Sequence, residues 1–138
     1  MPCKVKLKKS SLDYFRRLAR QSELEIEAYL IGTVVSPFLV KIDQFCYPQE
    51  YTEQTKDNVQ WSPQDYKRVR ELAEKQGKRI VGTIHSHPKA DVVLSPDDYE
   101  SHFTEGFRVL GICSVNEKKT KVHFWINDSS LPCVVEYI

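Results

Sequence analysis

The sequence predicts a mixed α and β domain built on one compact sheet with two or three helices. Three observations carry this. Apolar, β-rich runs at residues 25–35, 38–46, 79–84, 107–115 and 120–126 are too short for confident helices. Two segments with helical spacing, about 11–21 and the stretch after Ser62-Pro63, lie among them. At 138 residues and 16.1 kDa the chain has room for one sizeable core and not for two, so residues 1–138 are read as a single domain.

Each element has a local justification. Residues 3–7 (CKVKL) alternate and read as a short strand, its lysines suiting a solvated edge. Ser10-Ser11 then precede Leu12, Phe15, Leu18 and Ala19 on one helical face, and a serine at a helix start satisfies an orphan N–H. Residues 25–35 and 38–46 flank Ser36-Pro37 and read as an antiparallel pair, apolar enough to be covered on both faces. Residues 47–61 are polar without a period and read as one long insertion-like loop, the chain's candidate substrate flap. Ser62 as cap and Pro63 at the first helical position start a helix with Tyr66, Val69, Leu72 and Ala73 on one face and Gly77 as its stop. Residues 79–84 (RIVGTI) read as a buried strand and about 96–103 as a short helix. Strands at 107–115 and 120–126 enclose a turn, and 132–138 reads as a last strand.

Composition narrows the function classes. Twenty basic and 19 acidic side chains leave a net charge of +1, so no bulk field draws the chain to nucleic acid or an anionic membrane. The longest uncharged stretch, Ala28 to Val40, is interrupted by Gly32 and Pro37 and falls short of the roughly 20 apolar residues a membrane span needs. The first ten residues lack a continuous apolar run, so no signal peptide is expected. The four cysteines, at 3, 46, 113 and 133, make no C-x-x-C motif. They are expected to be reduced and mostly buried thiols in a cytoplasmic protein, Cys113 within the core.

Chemistry concentrates in His85-Ser86-His87-Pro88, Ser95 and Asp98. Two histidines at i and i+2 on a strand point the same way, so both imidazoles can meet one metal ion. With Asp98 from the next element they make a three-ligand zinc site with an open position, the catalytic rather than the structural pattern. A lone His-x-His is usually a surface or satisfied core pair, and Ser95-Pro96-Asp97-Asp98 is by itself a good helix start. The joint spacing outweighs both readings, because a shuffled chain of this composition would meet it on the order of once in 2,000 trials. Capping and metal binding are also compatible on one short helix.

These residues resemble the signature of the JAMM (MPN+) metallopeptidases, and the resemblance covers about residues 10–126. The family carries a glutamate on its first core strand in a context like E-x-x-(small)-x-L-x-G, and Glu25-Ile26-Glu27-Ala28-Tyr29-Leu30-Ile31-Gly32 fits with Glu25 in that place. The resemblance implies a central mixed β-sheet flanked by helices in a cytidine-deaminase-like layering. It implies one zinc per chain held by His85, His87 and Asp98. Glu25 would be the general base towards the zinc-activated water and pass the proton to the leaving amine. Ser95 would donate to the oxyanion. Glu27, two residues on and facing the same side, is the rival base, and Glu23 a weaker third.

Ala28 stands where relatives often have glycine, a mild departure. Only 40 residues follow Asp98, too few for the long second insertion of large ubiquitin-specific members. A compact member suits hydrolysis of a peptide or isopeptide bond at the C-terminus of ubiquitin or a ubiquitin-like protein, whose flexible tail can enter a groove as an added strand. Two other classes compete. Non-catalytic MPN scaffolds that only bind protein partners typically lack the metal ligands, and this chain carries all of them. Zinc deaminases need H-x-E and P-C-x-x-C, and neither occurs. His102 and His123 have no motif partners and read as structural or surface residues. Asp91 reads as solvated. Trp61 reads as a hydrophobic staple before the helix at Ser62 or as a substrate contact.

Overall fold

A computed structural model describes residues 2–88, 106–127, 129 and 131–138. Nine strands and two helices follow one another in these residues: β1 (Lys4–Leu7), α1 (Lys9–Gln21), β2 (Glu27–Ser36), β3 (Leu39–Cys46), β4 (Tyr51–Gln54), β5 (Val59–Trp61), α2 (Pro63–Lys75), β6 (Arg79–Pro88), β7 (Val109–Asn116), β8 (Lys119–Ile126) and β9 (Val134–Tyr137). Seven strands form one mixed sheet in the order β8-β7-β6-β2-β3-β1-β9, and β4 and β5 form a separate two-stranded hairpin. The short helix expected at about 96–103 lies outside the described residues.

The two helices cover opposite faces of the sheet, as the apolar density of β2 and β6 requires. On one face Leu12, Phe15 and Ala19 of α1 pack with Val5, Leu7, Ala28, Leu30, Val40, Ile84 and Phe124. On the other, Val69 and Ala73 of α2 pack with Tyr29, Ile31, Ile80 and Phe107. Gly32 is needed where β2 meets β3, since a Cβ there would collide with the Lys41 carbonyl.

The second helix begins and ends as expected. Ser62 Oγ accepts the Asp65 N–H at 3.1 Å, with Pro63 in the first turn. At the other end the Lys78 N–H donates to the Ala73 carbonyl and the Gly77 N–H to Glu74, with Gly77 at φ +68°. This is a Schellman stop, and the left-handed position suits glycine. The first helix starts two residues earlier than expected. Ser10 and Ser11 lie inside its first turn, whose N–H groups at Ser11 and Leu12 reach the Lys8 carbonyl. A Lys9–Asp13 ion pair at 2.9 Å supports that turn in place of a serine cap.

Three expectations are corrected. Residues 47–61 are not one irregular loop, because they contain the β4–β5 hairpin. Strand β1 is not an edge. It lies between β3 and β9, both parallel to it, and Lys4 and Lys6 are engaged by Glu136 of β9. The cysteines are not all thiols either. Cys3 and Cys133 sit side by side at the starts of β1 and β9, with Cα atoms 4.7 Å apart, and form a disulfide. Only the adjacency of those two strands, 130 residues apart, makes the pairing possible. Cys46 and Cys113 are free and buried.

Candidate functional site

Strands β2 and β6 build the site because they run antiparallel with Glu27 opposite His85. One step along, Ile26 and Ser86 are bonded twice: the Ser86 N–H donates to the Ile26 carbonyl at 2.9 Å, and the Ile26 N–H donates to Ser86 Oγ at 2.9 Å. Continuing that register sets Glu25 opposite His87. Alternation then puts Glu25, Glu27, Tyr29, Thr83, His85 and His87 on one face, and all six line a single cleft of about 680 Å³. Glu27 and His85 form a non-hydrogen-bonded pair, the closer of the two cross-strand geometries.

The imidazoles converge. His85 Nε2 and His87 Nε2 are 2.9 Å apart, so both ring edges face one point. His85 and Glu25 are buried and His87 is half-buried. The strand runs on through His87 to Pro88, so the pair lies within β6 rather than past its end. Among the described residues no cluster of three or more His, Cys, Asp or Glu side chains has the geometry of a metal site. Asp98, the third expected ligand, and Ser95, the expected oxyanion donor, lie outside the described residues, as do Asp91 and His102.

The hairpin forms the cleft's outer wall. Val59, Gln60 and Trp61 of β5 line it together with Asp57 and Asn58 of the turn. The ring of Trp61 lies 4.2 Å from that of Tyr29, which also carries Tyr66 and Phe107 at 5.5 and 6.1 Å. Trp61 therefore shares the Tyr29 ring with Tyr66 of α2 and lines the cleft as well. His123 is exposed on β8 against Trp125, away from the cleft lining, as expected for a surface residue.

Behind the hairpin, Asp65 is buried at the third position of α2. Its Oδ2 accepts the N–H groups of Gln49 and Glu50 at 2.9 and 3.0 Å, and its Oδ1 meets Arg68 at 3.0 Å. Burial alone would raise this carboxyl, but the Glu50 N–H, Arg68 and the Gln49 N–H outweigh it and hold the pKa below its usual value. Burial pushes the Tyr51 phenol up to about 12; the bond to Glu27's backbone opposes this, and the charges of Glu27 and Glu25 add to it. Tyr51 thus keeps its proton throughout the neutral range. Sequence reasoning missed Asp65 as a hairpin anchor, and Tyr51 and Ser86 as partners of the glutamate segment. The Thr55–Asn58 turn, closed by the Thr55 N–H on the Asn58 carbonyl and by Thr55 Oγ1 accepting from Asn58, was the local hint of a hairpin.

Solved structures share this fold. A solution structure of a Desulfitobacterium hafniense protein superposes with a TM-score of 0.72 at 17% identity, over 97% of this chain and 92% of that one. The crystal structure of a JAB1/MPN domain protein from Archaeoglobus fulgidus gives 0.62 at 17% identity, over 96% and 98%. A Salinibacter ruber protein gives 0.57 at 22% identity, over 88% and 80%. No curated protein matches by sequence. A family model does: it aligns with residues 4–105, which hold β2, the hairpin, β6 and every residue singled out for chemistry. The chain belongs to the JAB1/Mov34/MPN/PAD-1 ubiquitin protease family.

Proposed function

We propose that this chain is a zinc-dependent peptidase. It hydrolyses a peptide or isopeptide bond at the C-terminus of ubiquitin or a ubiquitin-like protein, with one zinc per chain. The observation that carries the reading is the convergence of His85 and His87 in a cleft whose facing strand supplies Glu25 and Glu27.

The donor set suits zinc. Two imidazole nitrogens on one tetrahedral zinc stand about 3.3 Å apart, given Zn–N bonds of about 2.0–2.1 Å. The observed 2.9 Å needs only a small spreading of the rings to reach that. His85, His87 and Asp98 would hold the ion. When bound, zinc polarises the scissile carbonyl and makes water acidic enough to ionise near neutral pH.

The chain's own residues do the rest. Glu25 takes a proton from the attacking water and returns it to the departing amine. Glu27, half-buried beside His85, is the alternative base. The Ser95 hydroxyl donates to the carbonyl oxygen as that atom gains charge. Strand β5 has β4 as its one ladder partner among the described residues, and its residues line the cleft. An extended tail can add there as a third strand.

The test is direct. Zinc-loaded protein is incubated with a panel of C-terminally extended ubiquitin-like proteins, and mass spectrometry locates any cut. Cleavage after the C-terminal residue of the mature protein, lost on chelation, supports the reading. Binding of the same proteins without cleavage by zinc-loaded chain rejects it in favour of a scaffold.

A further inference from the structure

The segment Glu25–Glu27 is held from two sides. Towards β6, both main-chain groups of Ile26 are bonded to Ser86. Towards the hairpin, the Glu27 N–H donates to the Tyr51 hydroxyl at 2.9 Å, and that hydroxyl donates to the Glu27 carbonyl at 3.2 Å. The Glu25 N–H donates to the Thr55 carbonyl at 2.8 Å, and Gln54 Nε2 donates to the Glu25 carbonyl at 3.1 Å. All six main-chain polar groups of the three residues are thereby used. Strand β3 pairs with β2 only from Tyr29 onward, so the hairpin takes the edge that β3 leaves uncovered. The hairpin's far side is the cleft wall formed by Val59, Gln60 and Trp61.

We propose that Tyr51 is a positioning residue: its hydroxyl, bridging both main-chain groups of Glu27, couples the β4–β5 hairpin to the carboxylates of the cleft, so that a substrate segment seated on the hairpin steadies the base it needs. The catalytic half of this rests on the peptidase reading above. The physical half rests on geometry alone. The hairpin cannot move away from β2 without freeing four bonds to Glu25 and Glu27, and an unmade bond at a buried group is costly. A tail that adds to β5 stiffens the two-stranded hairpin and, through Tyr51, narrows the positions open to Glu25 and Glu27. A lone hairpin is marginal, and a third strand changes that.

Tyr51→Phe removes the hydroxyl and keeps the ring, which packs in a groove with Ile26, Tyr47 and Pro48. Two readouts are taken. Amide hydrogen exchange on the whole chain, without substrate, should show the Glu27 N–H exchanging about tenfold faster, the loss expected for one hydrogen bond. Kinetics on any substrate the wild type cleaves should show kcat down about tenfold with KM within about twofold, since the hydroxyl touches the glutamate segment and not the substrate. Thr52→Ala is the control, because among the described residues the Thr52 hydroxyl bonds across the hairpin to the Gln60 carbonyl. It should leave Glu27 exchange unchanged. Unchanged Glu27 exchange in Tyr51→Phe overturns the coupling, as does faster exchange with wild-type kcat. Wild type that cleaves nothing overturns the peptidase reading, while the exchange arm still judges the clamp. Should Tyr51→Phe not fold, Tyr51→Leu, which also lacks the hydroxyl, is read at the Glu27 amide, where several-fold faster exchange supports the clamp and wild-type exchange rejects it.

Discussion

The two faces of the β2–β6 pair make an instructive comparison. On the face under α1, Ala28, Leu30 and Ile84 are fully buried among apolar neighbours. On the other face of the same strands stand Glu25, Glu27, Thr83, His85 and His87, open to a cleft. That second face is apolar only where α2 covers it, at Tyr29, Ile31 and Ile80. There Pro63 and Tyr66 at the start of α2 reach the cleft lining, and the hairpin walls it beside them. Polar chemistry therefore occupies the part of the sheet where the covering helix gives way to a hairpin. One face stabilises the strands and the other uses them as a rigid ruler for side-chain spacing.

The comparison can be broken or sharpened by substitution, and the largest effect belongs to the cleft face. Glu25→Ala should lose about two to four decades of kcat, the range for positioned acid–base catalysis, while binding one zinc with unchanged unfolding midpoint. Glu27→Ala should be far milder. A dead Glu27 variant with an active Glu25 variant would exchange their roles. Leu30→Ala, on the opposite face, should cost about 2–5 kcal/mol in urea unfolding yet leave zinc stoichiometry intact below its transition. Zinc lost from folded Leu30→Ala protein would mean the two faces are not separable.

Asp65→Ala should cost about 1–3 kcal/mol, since it removes the acceptor shared by the Gln49 and Glu50 N–H groups and the partner of Arg68. Its pH dependence has a definite sign. The folded pKa lies below the ordinary value of 3.8. The stabilisation is thus complete above that value and is lost as pH falls through the lower folded one. Stability measured against pH should therefore fall less steeply on the acid side in Asp65→Asn than in the wild type. The smallest effect is expected at Ser86, which lies on the core face but holds the glutamate segment. Ser86→Ala should cost about 1 kcal/mol and speed exchange of the Ile26 amide, whose acceptor is Ser86 Oγ. Ser86→Ala with protected Ile26 would show that another acceptor closes that edge.

Local pattern was enough for much of this molecule. Period-2 alternation put His85 and His87 on one side of a strand and Glu25 and Glu27 on one side of another, because side-chain direction in a strand depends only on position along it. Ser62-Pro63 and Gly77 marked the ends of α2 because capping bonds reach only three or four residues. The motif spacing and the context of Glu25 identified the family. Ser95 and Asp98 remain legible as sequence alone, outside the described residues.

What the tertiary structure decided are the pairings across long separations. It set β2 against β6 in the register that puts Glu27 opposite His85, and Ile26 onto Ser86, 60 residues away. It placed β1 inside the sheet beside β9, which turned two expected thiols into the Cys3–Cys133 bridge. It folded a polar stretch without a period into a hairpin, since short strands at an uncovered edge draw their order from the neighbour they meet. Tyr51 acquires its role only there. Nothing within a few residues of it indicates that its hydroxyl will meet the backbone of Glu27, because that contact exists only once β3 has left the edge of β2.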